Sequence, residues 1–437
     1  MDSKTIHPVA RAAGKIQVQG DKSISHRSII LGALSETPCS VDNFLVAEDT
    51  LCTLEAFRQM GIPIERNGTQ VHLHGRGLEG LKAPAKPIWC GNSGTSTRLL
   101  MGVLTGQPFQ VRLEGDESLS RRPMDRVIEP LSKMGAFFLD GMDAHLPAGR
   151  QAHLPLTMRG SHTVHPILWK SPVASAQVKS AILLAGLYAS GETEVQEPAL
   201  SRDHTERMFA ACGVKLERSG SHVRLFGTAA IHAKYFYVPG DLSSAAFFLA
   251  AGLLISEQGV EVEHVGINPT RTGFLDIVQA MGGQITRQKP TEKSGEPVAT
   301  LVARKSSLKA TQVAGDLIPR AIDEFPILAV LATQAAGQTV ISDAQELRVK
   351  ESDRIAKVAQ ELSKMGARIT EKSDGLVIEG PTPLKGAVVD SHGDHRLAMS
   401  LAIAALVTEG PTTIQNTECV NTSFPEFWTL LDKICDD

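Results

Sequence analysis

The stretch that decides the fold is GDKSISHRSIILGAL, Gly20 to Leu34, in which a short loop of Gly, Asp and Ser leads straight into a helix of small and apolar residues. The same arrangement recurs five more times, about seventy to eighty residues apart. The further copies are GNSGTSTRLLMGVL (Gly91 to Leu104), SPVASAQVKSAILLAGL (Ser171 to Leu187), PGDLSSAAFFLAAGLL (Pro239 to Leu254), GDLIPRAIDEFPILAVLAT (Gly315 to Thr333) and HGDHRLAMSLAIAAL (His392 to Leu406). Such self-similarity predicts a repeat protein of six units.

A second landmark alternates with the first. It is an amphipathic helix that ends in Met-Gly or Cys-Gly and is followed by a strand-like run. Its glycines are Gly61, Gly135, Gly213, Gly282 and Gly366. Glycine at this place supplies the left-handed residue that ends a helix. Each unit is therefore predicted to contain a buried helix, a strand, a surface helix, and then a strand and hairpin.

Length and composition limit the class of protein. A chain of 437 residues exceeds what one hydrophobic core usually serves, so two domains of three units each are expected. A net charge of −4 and 5% aromatic residues argue against a nucleic-acid surface. The N-terminus lacks an apolar export segment, and the longest apolar run, Ala245 to Ile255, is too short to span a bilayer. We expect a cytoplasmic protein without nucleic-acid or membrane partners.

Neither a metal nor an organic cofactor is expected. The six cysteines are scattered without a C-x-x-C pair, which indicates free thiols rather than a zinc site. HGDH, His392 to His395, lacks a third clustered ligand, so a structural polar network is favoured over a metal site. Gly75, Gly77 and Gly80 spell the dinucleotide fingerprint, but two prolines follow where a helix would be needed. A hairpin turn is predicted there instead.

A basic residue lies near the start of nearly every buried helix. These cations are Lys22 and Arg27, Arg98, Lys179, Arg320 and Arg396, and Arg122 precedes Pro123 at another predicted helix start. The start of a helix presents unpaired N–H groups and a partial positive charge, so an added cation and a Ser hydroxyl make an anion site. Several such sites predict polyanionic ligands. For Arg98 and Arg320 a solvated surface position remains an open alternative.

Carboxylates lie close to these cations in the sequence. RAIDEFP places Asp323 and Glu324 in an otherwise apolar stretch, and LRVKESDR is predicted to gather Lys350, Glu351 and Arg354 within a turn and a half of helix. A buried carboxylate beside cations is either a structural ion pair or a catalytic acid or base. Both readings stay open from the residues alone.

Eight motifs together identify a family. GDKSISHR, GNSGTSTR, SRRPMDR, SAQVKSA, SRDHTE, IDEFP, LRVKESDR and HGDHR occur in the order and spacing of the 5-enolpyruvylshikimate-3-phosphate (EPSP) synthase family, which the whole chain resembles. The resemblance implies an α/β fold of two inside-out α/β barrels, each built from three βαβαββ repeats. It implies one domain of residues 21–239, a second of 1–20 plus 240–437, and an active site in the cleft between them.

The resemblance also implies the reaction. The family transfers the enolpyruvyl group of phosphoenolpyruvate to the 5-hydroxyl of shikimate 3-phosphate and releases phosphate, by addition and elimination through a tetrahedral intermediate, within the shikimate pathway to chorismate and the aromatic amino acids. These two substrates are the expected partners of a monomer. The alternative is the sister transferase acting on UDP-N-acetylglucosamine, which has Lys-Asn where this chain has Lys22-Ser23. A non-enzymatic scaffold would explain the repeats but not the cations at the helix starts.

Roles are carried over by position. The residues implied to bind shikimate 3-phosphate are Lys22, Ser23, Arg27, Ser175, Gln177, Arg202, Asp323 and Lys350. Those implied to bind phosphoenolpyruvate are Lys22, Gly94, Arg122, Gln177, Arg354 and Arg396. The implied catalytic residues are Asp323, which would take the 5-hydroxyl proton, and Glu351 with Lys22, which would protonate the methylene carbon.

The chain departs from the family pattern at several places. Ala176 stands where many members have Ser, and Thr422 stands where many have a Lys that contacts an anion. SAQVK, SRDHTE and Asn268 to Arg271 resemble the class II subgroup, many of whose members tolerate the inhibitor glyphosate. Tolerant members often have Ala where this chain has Gly94. We therefore expect glyphosate to compete measurably with phosphoenolpyruvate.

Overall fold

A computed structural model describes residues 2–139, 152–227 and 230–435. The strands of these ranges are β1 (Ser3–Ile6), β2 (Gly14–Gln17), β3 (Pro38–Asp42), β4 (Ile64–Asn67), β5 (Gln70–His74), β6 (Ile88–Trp89), β7 (Gln110–Glu114), β8 (Phe137–Phe138), β9 (Leu156–Arg159), β10 (Leu168–Lys170), β11 (Glu192–Gln196), β12 (Leu216–Ser219), β13 (His222–Phe226), β14 (Tyr235–Tyr237), β15 (Val260–Gly266), β16 (Gln284–Lys293), β17 (Glu296–Arg304), β18 (Gln312–Val313), β19 (Gly337–Ile341), β20 (Arg368–Lys372), β21 (Gly375–Gly380), β22 (Val388–Asp390) and β23 (Thr412–Gln415).

The α-helices of the same ranges are α1 (Lys22–Ala33), α2 (Glu48–Gln59), α3 (Gly94–Thr105), α4 (Glu117–Ser120), α5 (Asp125–Lys133), α6 (Ala176–Gly186), α7 (His204–Ala211), α8 (Leu242–Ile255), α9 (Gly273–Ala280), α10 (Leu317–Ala321), α11 (Phe325–Thr333), α12 (Arg354–Lys364), α13 (His395–Ala405) and α14 (Phe427–Cys435). Two segments, Gln345–Val349 and Thr417–Thr422, are 3₁₀ helices.

The predicted repeat is confirmed by the strand pairing. In β10–α6–β11–α7–β12–β13, strands β10 and β11 pair in parallel, and β13 lies antiparallel between β11 and β12. A parallel pair needs a crossover, which α6 provides, whereas β12 and β13 form a hairpin. Over the described ranges, five sheets have four strands and one has three. The sequence therefore predicted both the α/β class and the βαβαββ unit.

The chain divides into two compact units. The N unit comprises Gly20–Val238 and Lys293–Gly295, and the C unit comprises Met1–Gln19, Pro239–Glu292 and Glu296–Asp437. Strand β2 precedes α1 along the chain but pairs with β15 of the C unit, and β14 precedes α8 but pairs with β3 of the N unit. The domains drawn from the sequence, 21–239 and 1–20 plus 240–437, and the active site placed between them stay predictions.

The first helix of each repeat is buried in the interior of its unit. In the C unit, α8 is buried from Leu242 to Leu253, and α8, α11 and α13 contact one another. In the N unit, α3 packs closely on α6. Helices that are apolar on all faces must be covered on all sides, so the sheets lie around them. No helix of the described ranges is both long and apolar enough to cross a bilayer.

The glycines after the surface helices end them as predicted. Gly61, Gly135, Gly213, Gly282 and Gly366 all have positive φ, between 80° and 108°. A side chain at these angles would strain the backbone, so glycine ends the helix at least cost and turns the chain toward the next strand.

Three local predictions are wrong. The fifth buried helix is interrupted, because α10 ends at Ala321 and α11 begins at Phe325. LRVKESDR is not one helix either: Lys350 is extended, and Asp353 caps a new helix by accepting a hydrogen bond from Ala356 N at 3.1 Å. Lys350 and Arg354 therefore do not share a helical face. The Gly75 to Gly80 segment is not a hairpin turn, since the strands it joins, β5 and β6, lie in different sheets.

Candidate active site

Lys22 opens the first buried helix of the N unit. The preceding Asp21 accepts a hydrogen bond from Ile24 N at 2.9 Å and so fixes the start of α1. Lys22 Nζ lies 3.0 Å from Asp49 Oδ2. The Lys22 side chain is partly exposed, whereas Asp49 is buried, so the ammonium group is held at the surface by a carboxylate behind it. Asp49 was not singled out from the sequence.

Arg27 is buried and held by three elements. Its Nε donates to Thr205 Oγ1 at 2.6 Å and its Nη2 to Ser180 Oγ at 2.7 Å, while Nη1 donates to the carbonyl of Ser23 at 2.8 Å. The guanidinium therefore joins α1 to α6 and α7. The residue before Arg27, His26, is also buried: burial lowers the pKa of His26 well below its usual value, and Lys22 and Arg27 lower it further.

Gly94 begins α3 beside two arginines. A Cβ atom added at Gly94 would lie 2.9 Å from Arg98 Nη1 and 3.5 Å from Arg122 Nη1. Arg98 is not a solvated surface residue: its Nη1 donates to Gln177 Oε1 at 2.5 Å, and Gln177 Nε2 donates to Thr95 Oγ1 at 2.9 Å. Sequence reasoning left Arg98 undecided, and the structure brings it together with Gly94 and Gln177.

Arg122 is oriented by the loop that precedes α3. Its Nη2 donates to Asn92 Oδ1 and lies 3.4 Å from Ser118 Oγ. Asn92 in turn donates to Asp116 Oδ2 at 2.7 Å. An amide oxygen aimed at the guanidinium fixes its direction without cancelling its charge, which suits a group that binds an anion.

The remaining predicted residues of the N unit belong to α6 and to the loop before α7. Ser175 caps this helix, its Oγ accepting from Val178 N, and its own backbone N donates to Glu197 Oε1 at 2.9 Å. Arg202 is partly buried in the loop before α7. Lys179 is not part of an anion site, because its ammonium is 2.9 Å from both Glu197 and Glu206 and is buried with them.

Arg354 is the centre of a second charged cluster, which lies in the C unit. Its Nε donates to Asp394 Oδ2 at 2.8 Å, its Nη2 donates to Glu351 Oε2 at 2.7 Å, and Nη1 is 3.6 Å from Asp323 Oδ1. Burial alone would lower the pKa of Arg354, but Asp394, Glu351 and Asp323 outweigh that effect and raise it. The guanidinium is therefore permanently charged.

Asp323 lies in the break between α10 and α11. Arg396 Nη1 donates to its carbonyl at 3.3 Å, and Arg396 Nη2 is 3.8 Å from its Oδ2. The next residue, Glu324, is buried and accepts a hydrogen bond from Ser243 Oγ. The break in the fifth helix thus turns Glu324 into the interior and leaves the Asp323 carboxylate between two arginines.

Lys350 and Glu351 precede α12. Burial lowers the pKa of Lys350, and Arg354 acts in the same direction, while Asp323 and Glu351 partly oppose them. The Glu351 side chain is 21% exposed, so this carboxylate can exchange protons with a ligand while one of its oxygens is held by Arg354.

HGDH holds this second cluster through Asp394. Asp394 accepts from Arg396 N at 2.9 Å, caps α13 and accepts from Ser352 Oγ at 3.0 Å. His392 Nε2 is 2.9 Å from Glu361 Oε1, which places the motif in a polar network. Asp394 was missed in the sequence although it lies inside a quoted motif, because its partner Arg354 is forty positions away. No group of three or more potential metal ligands is found among the described residues.

Two sets of cations with embedded carboxylates therefore exist, one in each unit. Guanidinium and ammonium groups suit phosphate and carboxylate ligands, and Asp323 and Glu351 can exchange protons. At Thr422 the hydroxyl donates to Cys419 O at 2.7 Å within the C-terminal 3₁₀ helix.

Comparisons with known proteins all indicate the same family. A family model described as EPSP synthase (3-phosphoshikimate 1-carboxyvinyltransferase) matches residues 6–431. The 3-phosphoshikimate 1-carboxyvinyltransferase of Geobacter sulfurreducens is 50% identical over 434 residues, which cover 99% of each chain. The enzyme of the same name from Bacillus subtilis is 49% identical over 422 residues, 96% of this chain and 97% of that one.

Solved structures give the same picture. An EPSP synthase from Acinetobacter baumannii superposes with a TM-score of 0.87 at 46% identity, covering 100% of this chain and 98% of the other. The enolpyruvyl transferase NikO from Streptomyces tendae has a TM-score of 0.77 at 18% identity, covering 98% and 96% of the two chains. The latter likeness supports the fold alone.

Proposed function

Because the chain belongs to the EPSP synthase family, we propose that the two charged clusters bind and convert the substrates of that family's reaction. The enzyme transfers the enolpyruvyl group of phosphoenolpyruvate to shikimate 3-phosphate in the shikimate pathway. The acceptor is the 5-hydroxyl, and phosphate is the second product. The observation that carries the residue assignment is Arg354, a buried cation within reach of Asp323, Glu351 and Asp394.

Shikimate 3-phosphate is bound chiefly by residues of the N unit. Arg27 and Ser175 hold the phosphate together with Ser23 and Arg202, and Gln177 and Lys22 reach the ring and the second substrate. This assignment is supported by the convergence of Arg27 on α6 and α7, since Ser180 and Thr205 fix the guanidinium by two hydrogen bonds. Asp323 and Lys350 bind the ring hydroxyls.

Phosphoenolpyruvate is bound by three arginines and the start of α3. Arg122, Arg354 and Arg396 can each make paired hydrogen bonds to a carboxylate or a phosphate. Gly94 lets the ligand approach the helix backbone, where unpaired N–H groups attract anions. Support comes from Asn92 and Asp394, which orient Arg122 and Arg354.

The chemistry is addition followed by elimination. Glu351, with Lys22, delivers a proton to the methylene carbon while Asp323 takes the proton of the 5-hydroxyl, whose oxygen bonds to the adjacent carbon of phosphoenolpyruvate. The resulting tetrahedral adduct carries a methyl group. Its bond to the phosphate oxygen then breaks, and a proton leaves the methyl group, which restores the methylene. The cations stabilise the anionic groups in both steps.

Incubation with both substrates tests the proposal directly. We expect phosphate release that requires phosphoenolpyruvate and shikimate 3-phosphate together, and none when UDP-N-acetylglucosamine replaces the shikimate ester. Phosphate release from phosphoenolpyruvate in the presence of UDP-N-acetylglucosamine, but not of shikimate 3-phosphate, would favour the sister transferase. We further propose a cytoplasmic monomer that needs no cofactor, to be tested by light scattering and by activity after treatment with a chelator.

A further inference from the structure

Lys179, Glu197 and Glu206 form a buried group of three charges in the N unit. Lys179 Nζ is 2.9 Å from Glu197 Oε2 and 2.9 Å from Glu206 Oε1, and none of the three side chains is more than 3% exposed. Burial alone would lower the pKa of Lys179, but Glu206 and Glu197 raise it, so the group stays charged. We call this group the ionic triad.

Stability alone does not explain such a group. Removing charges from water is expensive, and well-packed apolar residues of similar volume often serve the fold equally well or better. A buried ion pair is better suited to fixing one arrangement of the segments that carry it. The role of the ionic triad therefore follows from the segments that it holds together.

Glu197 fixes two segments next to the start of α6. Its Oε1 accepts the hydrogen bond from the backbone N of Ser175, and its Oε2 accepts one from Ser201 Oγ at 2.8 Å. Lys179 Nζ also lies 3.4 Å from the carbonyl of Ser201. Ser175 caps α6, and Ser201 immediately precedes Arg202, so one carboxylate sets the positions of two residues assigned to the substrate phosphate.

Glu206 and Lys179 fix the surroundings of Arg27, as Glu197 fixes those of Ser175. Each is adjacent in sequence to a residue that holds the guanidinium: Thr205 precedes Glu206, and Ser180 follows Lys179. The two hydroxyls are also 2.7 Å apart. The ion pair between α6 and α7 thus sets the separation of the two hydroxyls that orient Arg27.

We propose that the ionic triad positions the phosphate-binding residues of the N unit, Arg27, Ser175 and Arg202, for shikimate 3-phosphate without touching the substrate. This inference rests on the proposed function of those residues. Lys179, Glu197 and Glu206 are positioning residues, and their loss should weaken the binding of one substrate rather than turnover in general.

Two variants test the ionic triad at different severity. Glu206→Gln keeps the size of the side chain and an oxygen for Lys179 but removes one charge. The triple variant Lys179→Met, Glu206→Met and Glu197→Gln removes all three charges, and leaves at position 197 an amide oxygen that can still accept the hydrogen bond from Ser175 N. The matched control is Glu194→Gln, on strand β11 just before Glu197, whose carboxylate pairs with Arg224 and His222 instead.

The measurement is KM for each substrate, kcat and the thermal unfolding midpoint. We expect both variants to raise KM for shikimate 3-phosphate about tenfold, with KM for phosphoenolpyruvate changed less than about threefold, as expected when binding of one substrate is lost. Glu194→Gln should match the wild type. A fall in kcat with both KM values unchanged, or loss of the fold in both variants, would make the ionic triad structural and overturn the inference.

Arg27→Lys separates this inference from the proposed function. Lysine cannot reproduce the guanidinium fork, so this variant should raise KM for shikimate 3-phosphate. If it does not, the assignment of the substrate to Arg27 fails. If it does while the triad variants keep the wild-type KM, the assignment stands and only the positioning role is lost.

Discussion

Arg354 Nε donates to Asp394 Oδ2 over 2.8 Å, and both side chains are almost completely buried. Asp394 also caps α13, so the same carboxylate fixes the start of a helix and the direction of a guanidinium that we propose binds substrate. Because Arg354 reaches Glu351 and Asp323 as well, this bond sets the geometry of both proposed proton carriers.

Asp394→Asn should therefore reduce both stability and substrate binding. The amide can still cap α13 but leaves a buried guanidinium with one fewer negative partner, so we expect a loss of about 3 kcal/mol in unfolding free energy and a higher KM for phosphoenolpyruvate. Urea denaturation and steady-state kinetics measure the two effects. The control is Glu371→Gln, which removes an exposed partner of Arg348 and should change stability by less than about 1 kcal/mol. Equal losses in both variants would contradict the prediction.

The same carboxylate should make the fold sensitive to acid. Burial alone would raise the pKa of Asp394, but Arg354 and other contacts lower it below its usual value. A lowered pKa contributes stability that is fully present above about pH 4 and is lost as the pH falls toward the folded-state pKa. Asp394→Asn lacks this titration, so its stability should fall less steeply below about pH 4 than that of the wild type. Parallel curves from urea denaturation at each pH would show that Asp394 does not contribute.

Asp323→Asn and Glu351→Gln should separate binding from chemistry. Each keeps the size of the side chain but removes a proton carrier, so we expect turnover to fall by orders of magnitude while binding of shikimate 3-phosphate stays within about tenfold. Phosphate release and equilibrium titration measure the two quantities. Near-normal turnover in a folded variant would return that residue to the role of a structural ion pair.

Gly94→Ala should discriminate against glyphosate. The added methyl group would lie 2.9 Å from Arg98 Nη1, close enough to require movement, and it would narrow the space beside Arg122. Glyphosate is longer than phosphoenolpyruvate, so we expect the ratio of its inhibition constant to KM for phosphoenolpyruvate to rise. The unfolding midpoint should be recorded alongside. A ratio that is unchanged or lower would show that Gly94 does not set the discrimination.

Two of the failed local predictions have causes that lie in the sequence itself. The fifth helix is interrupted at Asp323 because Pro326, in the first turn of α11, has no backbone N–H that could continue the helix from α10, and Glu324 bonds inward to Ser243. Lys350 is extended although its neighbours suit a helix, because Asp353 caps a new helix that begins at Arg354. In both places a local signal, a proline or an N-capping Asp, outweighs the residue pattern that suggested one continuous helix.

The sequence by itself determined the six repeats, the α/β class and the family. The repeats and the class depend on short-range physics: apolar residues at helical spacing, glycine at the left-handed position and strand runs between turns, all of which are read within about fifteen residues. The family depends instead on the resemblance of eight motifs. The sequence also identified most of the charged residues of the two clusters, since each lies in a short motif that can be recognised by itself. The roles of Asp323, Glu351 and their neighbours stay predictions.

Only the tertiary structure decided which charges meet. Asp394 pairs with Arg354, Asp49 with Lys22, and Lys179 with two glutamates beyond its own helix. A charge attracts any opposite charge, so the sequence offers many possible partners for each. The fold selects one by bringing the starts of several helices together in each unit and by removing water, which makes an unpaired charge too costly to keep.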